Sequence, residues 1–212
     1  MIKAYQLLGN IDPKLLPAAF ELFNKTAVEV CEGQQMDMDF EERSDVSIDE
    51  YIEMIRLKTS VLLGCALEIG AIVAEASEED REAIYNFGQH IGIAFQIQDD
   101  ILDLYADPDK FGKQVGGDVI ANKKTLLHLT ALKNATKEQL EVMKQLQKEQ
   151  NLVLKVDRTR RLFDQLGVRA ICEERMQKHY NIAMESLKKV QVEDAQKKKL
   201  VGLADFLMNR DT

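Results

Sequence analysis

From Ile84 to Leu104 the apolar positions recur at helical, not strand, spacing. Ile91, Ile93, Ala94, Phe95, Ile97, Ile101, Leu102 and Leu104 spread over most of the helix circumference, the mark of a helix enclosed by other elements. One polar stripe breaks this surface. Gln89, Gly92, Gln96, Asp99 and Asp103 follow at intervals of three and four and share a face. Asp99 and Asp103 stand one turn apart, about 6 Å along the axis. Ionised carboxylates in such surroundings cost several kcal/mol unless a cation meets them.

The same period runs through nearly the whole chain, and 3 prolines and 11 glycines leave few breaks. Asp12-Pro13 predicts an N-cap followed by proline in the first turn of a helix reaching about Glu32. Ser47-Ile48-Asp49-Glu50 is a capping box that opens a long helix toward Ala76. Ser77 starts the helix that carries the aspartate stripe. Residues 106–122 hold Asp107-Pro108, Gly112, Gly116 and Gly117, which predicts a loop. Helices resume near Lys124, Thr136 opens another through a capping box, and three more cover roughly 157–166, 168–190 and 193–209. No alternating β-branched strand pairs occur. The expectation is one all-α domain over residues 1–212.

Composition narrows the function. With 28 basic and 36 acidic residues the net charge is −8, which argues against a general nucleic-acid surface. A phosphorylated substrate must then be met by metal ions and locally placed lysines. No apolar run is long enough for a membrane span. Cys31, Cys65 and Cys172 are widely spaced, and unpaired buried thiols in a reducing cytoplasm are expected.

Asp99 and Asp103 can supply the one or two carboxylates that Mg²⁺ usually takes from protein. Asp100, about 100° round the helix, can take a metal-bound water or a basic neighbour, and Gln96 can reach a water or a substrate oxygen. The competing interpretation is a buried carboxylate cluster paired with Lys or Arg. Lys58 sits in the middle of an apolar stripe formed by Tyr51, Ile55, Leu62, Cys65 and Ile69, with Thr59 beside it. It can snorkel, pair with a carboxylate, or present its charge to a phosphate. Lys113 and Lys123 lie in the glycine-containing loop, which could close over a metal-bound diphosphate. Gln34 and Asp37 are three apart and could face one cavity, whereas Asp39 onward reads as an acidic helix end leading to a solvated loop. His90, His128 and His179 share no ligand spacing and are taken as structural.

In order, Gly33-Gln34-Gln35-Met36-Asp37, Lys58-Thr59, Phe95-Gln96-Ile97-Gln98-Asp99-Asp100-Ile101-Leu102-Asp103 and Asn122-Lys123-Lys124-Thr125 resemble the motifs of the trans-isoprenyl diphosphate synthases, the polyprenyl synthetase family. The resemblance implies an all-α helical bundle around a central cavity, usually a homodimer. It also implies Mg²⁺-assisted condensation of isopentenyl diphosphate with an allylic diphosphate. On that basis Asp99, Asp100 and Asp103 are the metal set. Lys58, Gln96, Lys113 and Lys123 contact the allylic diphosphate, and Thr59 orients the carbocation or the proton-accepting pyrophosphate.

One departure matters. The family carries a further D-D-x-x-D on an earlier helix, with basic residues before it, and neither occurs in these 212 residues. The expectation is therefore an N-terminally shortened portion of a synthase with little turnover by itself. The alternative is a non-catalytic subunit that pairs with a complete synthase. A terpene cyclase fits the Gln96–Asp103 run less well.

Overall fold

A computed structural model describes residues 2–106 and 115–209. Eleven helices occur among them, and no strand. They are α1 (Ile2–Leu8), α2 (Leu16–Glu42), α3 (Ile48–Ile55), α4 (Val61–Val73), α5 (Glu78–Tyr105), α6 (Gly117–Ile120), α7 (Leu126–Asn134), α8 (Lys137–Gln147), α9 (Leu152–Gln165), α10 (Val168–Lys189) and α11 (Asp194–Met208). A π-helical turn, Arg56–Ser60, joins α3 to α4. The all-α expectation holds, and no described helix is long and apolar enough to cross a membrane.

The 28-residue α5 is the axis of the molecule. It lies along α10 on one side and α4 on another. Ile97, Ile101 and Leu104 join Tyr51, Leu126, Leu129, Phe163 and Cys172 in the main core, and each large aliphatic side chain buried there contributes about 1.5–3 kcal/mol. A second cluster joins Ile84, Phe87 and Ile91 to Ala183, Leu187 and Ala204. The predicted caps at Ser47, Ser77 and Thr136 all form: Ser47 and Thr136 make reciprocal capping boxes, and Ser77 Oγ accepts from the Asp80 N–H at 3.1 Å.

Several boundaries differ from expectation. The second helix starts at Leu16, with Pro17 in its first turn, because Asp12 accepts from the Lys14 N–H and shapes a turn instead. That helix runs ten residues past Glu32, since Gly33 is held in it by packing described below. The helix expected from 157 begins at Leu152, where Asn151 caps the Leu154 N–H. The uninterrupted helix expected from Ser47 to Ala76 is divided by the π-turn. Its extra residue rotates the following face, so Val61 and Cys65 are buried while Leu62 is 50% exposed. Cys31 is exposed rather than buried, and all three cysteines are free.

His90 and His179 meet across the α5–α10 contact with their Nδ1 atoms 2.9 Å apart, so one donates and the other accepts. Burial lowers both pKa values, that of His179 to about 4. The unfolded chain therefore takes up these protons before the folded one, and stability is lost as pH falls from about 6.5 toward 4. Allowing for the partial exposure of the pair, the loss is on the order of 2 kcal/mol. His179→Asn should shrink the difference between urea midpoints at pH 7 and pH 4.5. An unchanged difference would show that the pair does not titrate in this way.

Candidate functional site: an aspartate face opposed by lysines

The π-turn packs against both the C-terminal half of α2 and the stripe of α5, and the turn 117–123 packs against the C-terminal end of α5. The π-turn explains why Lys58 stands in an apolar stripe. The wider turn carries Lys58 and Thr59 toward α2 and α5, and such turns frequently occur at functional sites. Lys58 Nζ donates to Asp37 Oδ2 at 2.6 Å, both side chains being partly buried. Thr59 Oγ1 donates to Gln96 Oε1 at 3.4 Å. Of the outcomes open to Lys58, the structure shows the carboxylate pair.

Close packing makes this arrangement possible. A Cβ on Gly33 would lie 2.4 Å from the Lys58 nitrogen and 2.8 Å from the Leu57 carbonyl carbon. A Cβ on Gly92 would lie 2.7 Å from Ser60 Cα. Two glycines thus clasp the π-turn between α2 and α5. Gly92 belongs to the polar stripe because backbone must approach there.

Asp100 and Asp103 are held by different partners. Asp100 is 4% exposed. It accepts from the Tyr51 hydroxyl at 2.5 Å and from the Leu126 N–H at 3.3 Å. Burial raises its pKa to about 7, partly offset by the Tyr51 bond. This carboxyl ties α3, α5 and α7 together. Asp103, one turn further on, meets a different element: its Oδ2 accepts from the Asp118 N–H at 3.0 Å. Burial raises the pKa of both Asp103 and Asp118. At Asp118 the Lys123 cation opposes the rise, whereas the negative charges of Asp37 and Asp99 add to it.

Lys123 approaches Asp118 Oδ1 at 3.8 Å. Its neighbour Lys124 does something different, donating to the Phe40 and Glu41 carbonyls at 2.5 and 3.1 Å, where it satisfies the end of α2. Gly112 and Lys113 lie outside the described residues. The open groove beside these groups, about 870 Å³, is lined by Asp37, Arg43, Lys123 and Lys144 together with Phe40, Leu129 and Leu132. Gln34 is exposed, so only Asp37 of the pair expected to face one cavity does so.

Sequence reasoning missed the contacts of Asp118 and Tyr51 and did not name Lys58 as the partner of Asp37. The signal for Asp37 was present, since a lysine on a core face demands a counter-charge. Among the described residues, no three His, Cys, Asp or Glu side chains converge tightly enough to hold a metal alone. The donors nevertheless suit a hard divalent cation. They are carboxylate oxygens, burial favours the protonated form of Asp103 and Asp118 in a way that a cation would relieve, and Mg²⁺ typically needs just one or two carboxylates beside water and phosphate.

A polyprenyl synthetase family model matches residues 1–165. The chain belongs to the polyprenyl synthetase family. Among polyprenyl synthetases, a short chain isoprenyl diphosphate synthase from Methanocaldococcus jannaschii is 36% identical, with 98% of this chain and 63% of that relative aligned. A geranylgeranyl pyrophosphate synthase from Geoglobus acetivorans is also 36% identical, over 99% of this chain and 64% of its own length. The crystal structure of a geranylgeranyl pyrophosphate synthase superposes with a TM-score of 0.92 at 38% identity, covering all of this chain and 66% of that one. The geranylgeranyl pyrophosphate synthetase from Pyrococcus horikoshii gives 0.91 at 33% identity, over 98% and 64%. The helical fold is therefore that of the isoprenyl synthases, and the chain spans less than two thirds of these relatives' lengths.

Proposed function

We propose that this chain carries the diphosphate-holding half of a trans-prenyltransferase site, one that joins an allylic diphosphate to isopentenyl diphosphate. The reading is supported by Lys58 held beside Asp37, Thr59 bonded to Gln96, and Asp103 meeting the Asp118 amide next to Lys123. The neighbouring groove lined by Asp37 and Lys123 also contains Phe40, Leu129 and Leu132, a mixed lining that suits a ligand with an anionic head and a hydrocarbon tail. The names of the relatives support the same substrate class.

In this mechanism Asp99 and Asp103 hold Mg²⁺, with Asp100 kept in the core as their anchor. When bound, the metal offsets the negative charge that builds on the departing diphosphate. Lys123, and Lys58 once it exchanges Asp37 for phosphate, add positive charge at the same place, which is stabilisation aimed at the transition state. Lys113 joins them from the loop. Gln96 and Thr59, already bonded to each other, orient the reacting end of the allylic chain. Exposed Phe20, Val28, Leu62 and Val73 on α2 and α4 supply apolar surface for a homodimer, and three free cysteines suit a reducing cytoplasm.

The test is to titrate the chain with magnesium and inorganic diphosphate by calorimetry, and separately to supply labelled isopentenyl diphosphate with an allylic partner. Saturable diphosphate binding that requires magnesium is expected. Negligible prenyl transfer is also expected, because these 212 residues contain no second D-D-x-x-D beyond Asp99–Asp103. Absence of binding would remove the proposal, and rapid product formation would show that the second motif is dispensable.

A further inference from the structure

Lys155 is 4% exposed, yet among the described residues no carboxylate pairs with it. An ammonium group placed this way is costly unless its donors are used. Its Nζ donates instead to two backbone carbonyls, Ile120 at 3.1 Å and Gln147 at 3.4 Å. These are the last residues of α6 and α8. Asn122 supports the same junction. It holds a left-handed φ of 53°, and its side chain donates to the Gln147 carbonyl at 3.3 Å.

The four-residue α6 is too short to hold its shape alone. Its front is fastened to α5 where the Asp118 N–H meets Asp103, and the Lys123 N–H closes onto the Asp118 carbonyl at 2.9 Å. Its rear is fastened by Lys155 and Asn122. The turn that carries Lys123 is therefore stretched between two anchors, one of which is buried charge.

We propose that Lys155 is a positioning residue, whose ammonium group sets turn 117–123 so that Lys123 and the Asp118 amide face Asp103. The inference rests on the reading of Lys123 as a diphosphate contact. Two measurements on the full chain separate them. The first is magnesium-dependent diphosphate binding by wild type, Lys155→Met, Lys123→Met and the double variant. Lys155→Met should weaken binding about tenfold, the low end of what losing outer-shell support costs a metal site. It should add nothing further in the Lys123→Met background. The second is amide hydrogen exchange, where Ile120, Ala121 and Lys123 should exchange at least about tenfold faster in Lys155→Met while α10 is unchanged. Exposed Lys148→Met serves as the neutral control.

If the two substitutions multiply fully, or if exchange across 118–123 does not change, Lys155 does not act through this turn. If Lys123→Met binds like wild type, the reading of Lys123 falls, and the positioning inference falls with it. Should Lys155→Met fail to fold, Asn122→Gly keeps the left-handed backbone and removes the side-chain bond by which Asn122 supports the rear anchor. It should then weaken binding about fivefold, the worth of roughly one net hydrogen bond, and unchanged binding there would overturn the proposal.

Discussion

Replacing both Asp99 and Asp103 with alanine should weaken magnesium-dependent diphosphate binding by more than about a hundredfold. Even the outer-shell partners of a metal cost ten- to a hundredfold when removed, and these two carboxylates are proposed as direct ligands. Metal-free stability should change little by comparison. Burial already works against the Asp103 charge, so deleting it relieves desolvation while forfeiting its bond to the Asp118 N–H. Binding and melting temperature thus move separately, which a general packing defect would not produce. Equal calorimetric affinities for the two proteins would falsify the metal assignment. Asp100 makes the contrast sharper: its bonds to Tyr51 and Leu126 mean that its loss should register in stability first.

The division between these aspartates shows how far the sequence could be read. Spacing alone placed Asp99 and Asp103 on one face and turned Asp100 away, because a helix rotates by a fixed angle per residue. The capping boxes at Ser47 and Thr136 were legible for a similar reason, since their partners lie three residues apart. What the sequence withheld were contacts between distant segments. Nothing near Asp100 names Tyr51 or Leu126 as its partners, and nothing near Lys155 names Ile120 and Gln147. The π-turn was hidden in the same way. Arg56–Ser60 reads as ordinary helix locally, and only the glycines of α2 and α5 that close on it reveal a backbone that must widen.

Those glycines also account for the order in which the motifs occur. Gly33 precedes Asp37 by one helical turn, so the residue that lets α2 touch the π-turn and the residue that pairs with Lys58 lie on one face. The close approach and the ion pair are therefore two consequences of one helix–turn contact. Similarly, Gly92 precedes Gln96 by one turn, bringing α5 against Ser60 just where Gln96 meets Thr59. In both cases a small residue admits the backbone and a polar residue one turn later meets the functional side chain.

Gly33→Ala should accordingly be among the most damaging single-methyl additions in the chain. The new Cβ meets backbone atoms of Leu57 and Lys58 at 2.8 and 2.4 Å, and backbone held between two helices cannot yield as a flexible side-chain tip can. Overpacking of this kind costs about 1–3 kcal/mol. The displaced segment carries Lys58, so diphosphate affinity should fall along with the denaturation midpoint. Gly70→Ala supplies the comparison. Gly70 lies in α4 with nothing within 4 Å of its would-be Cβ, and alanine there should stabilise by about 0.5–1 kcal/mol through helix propensity. Chemical denaturation of the two variants should thus move in opposite directions from wild type. Parallel shifts would mean that glycine is chosen at position 33 for reasons other than the approach of α2 to the π-turn.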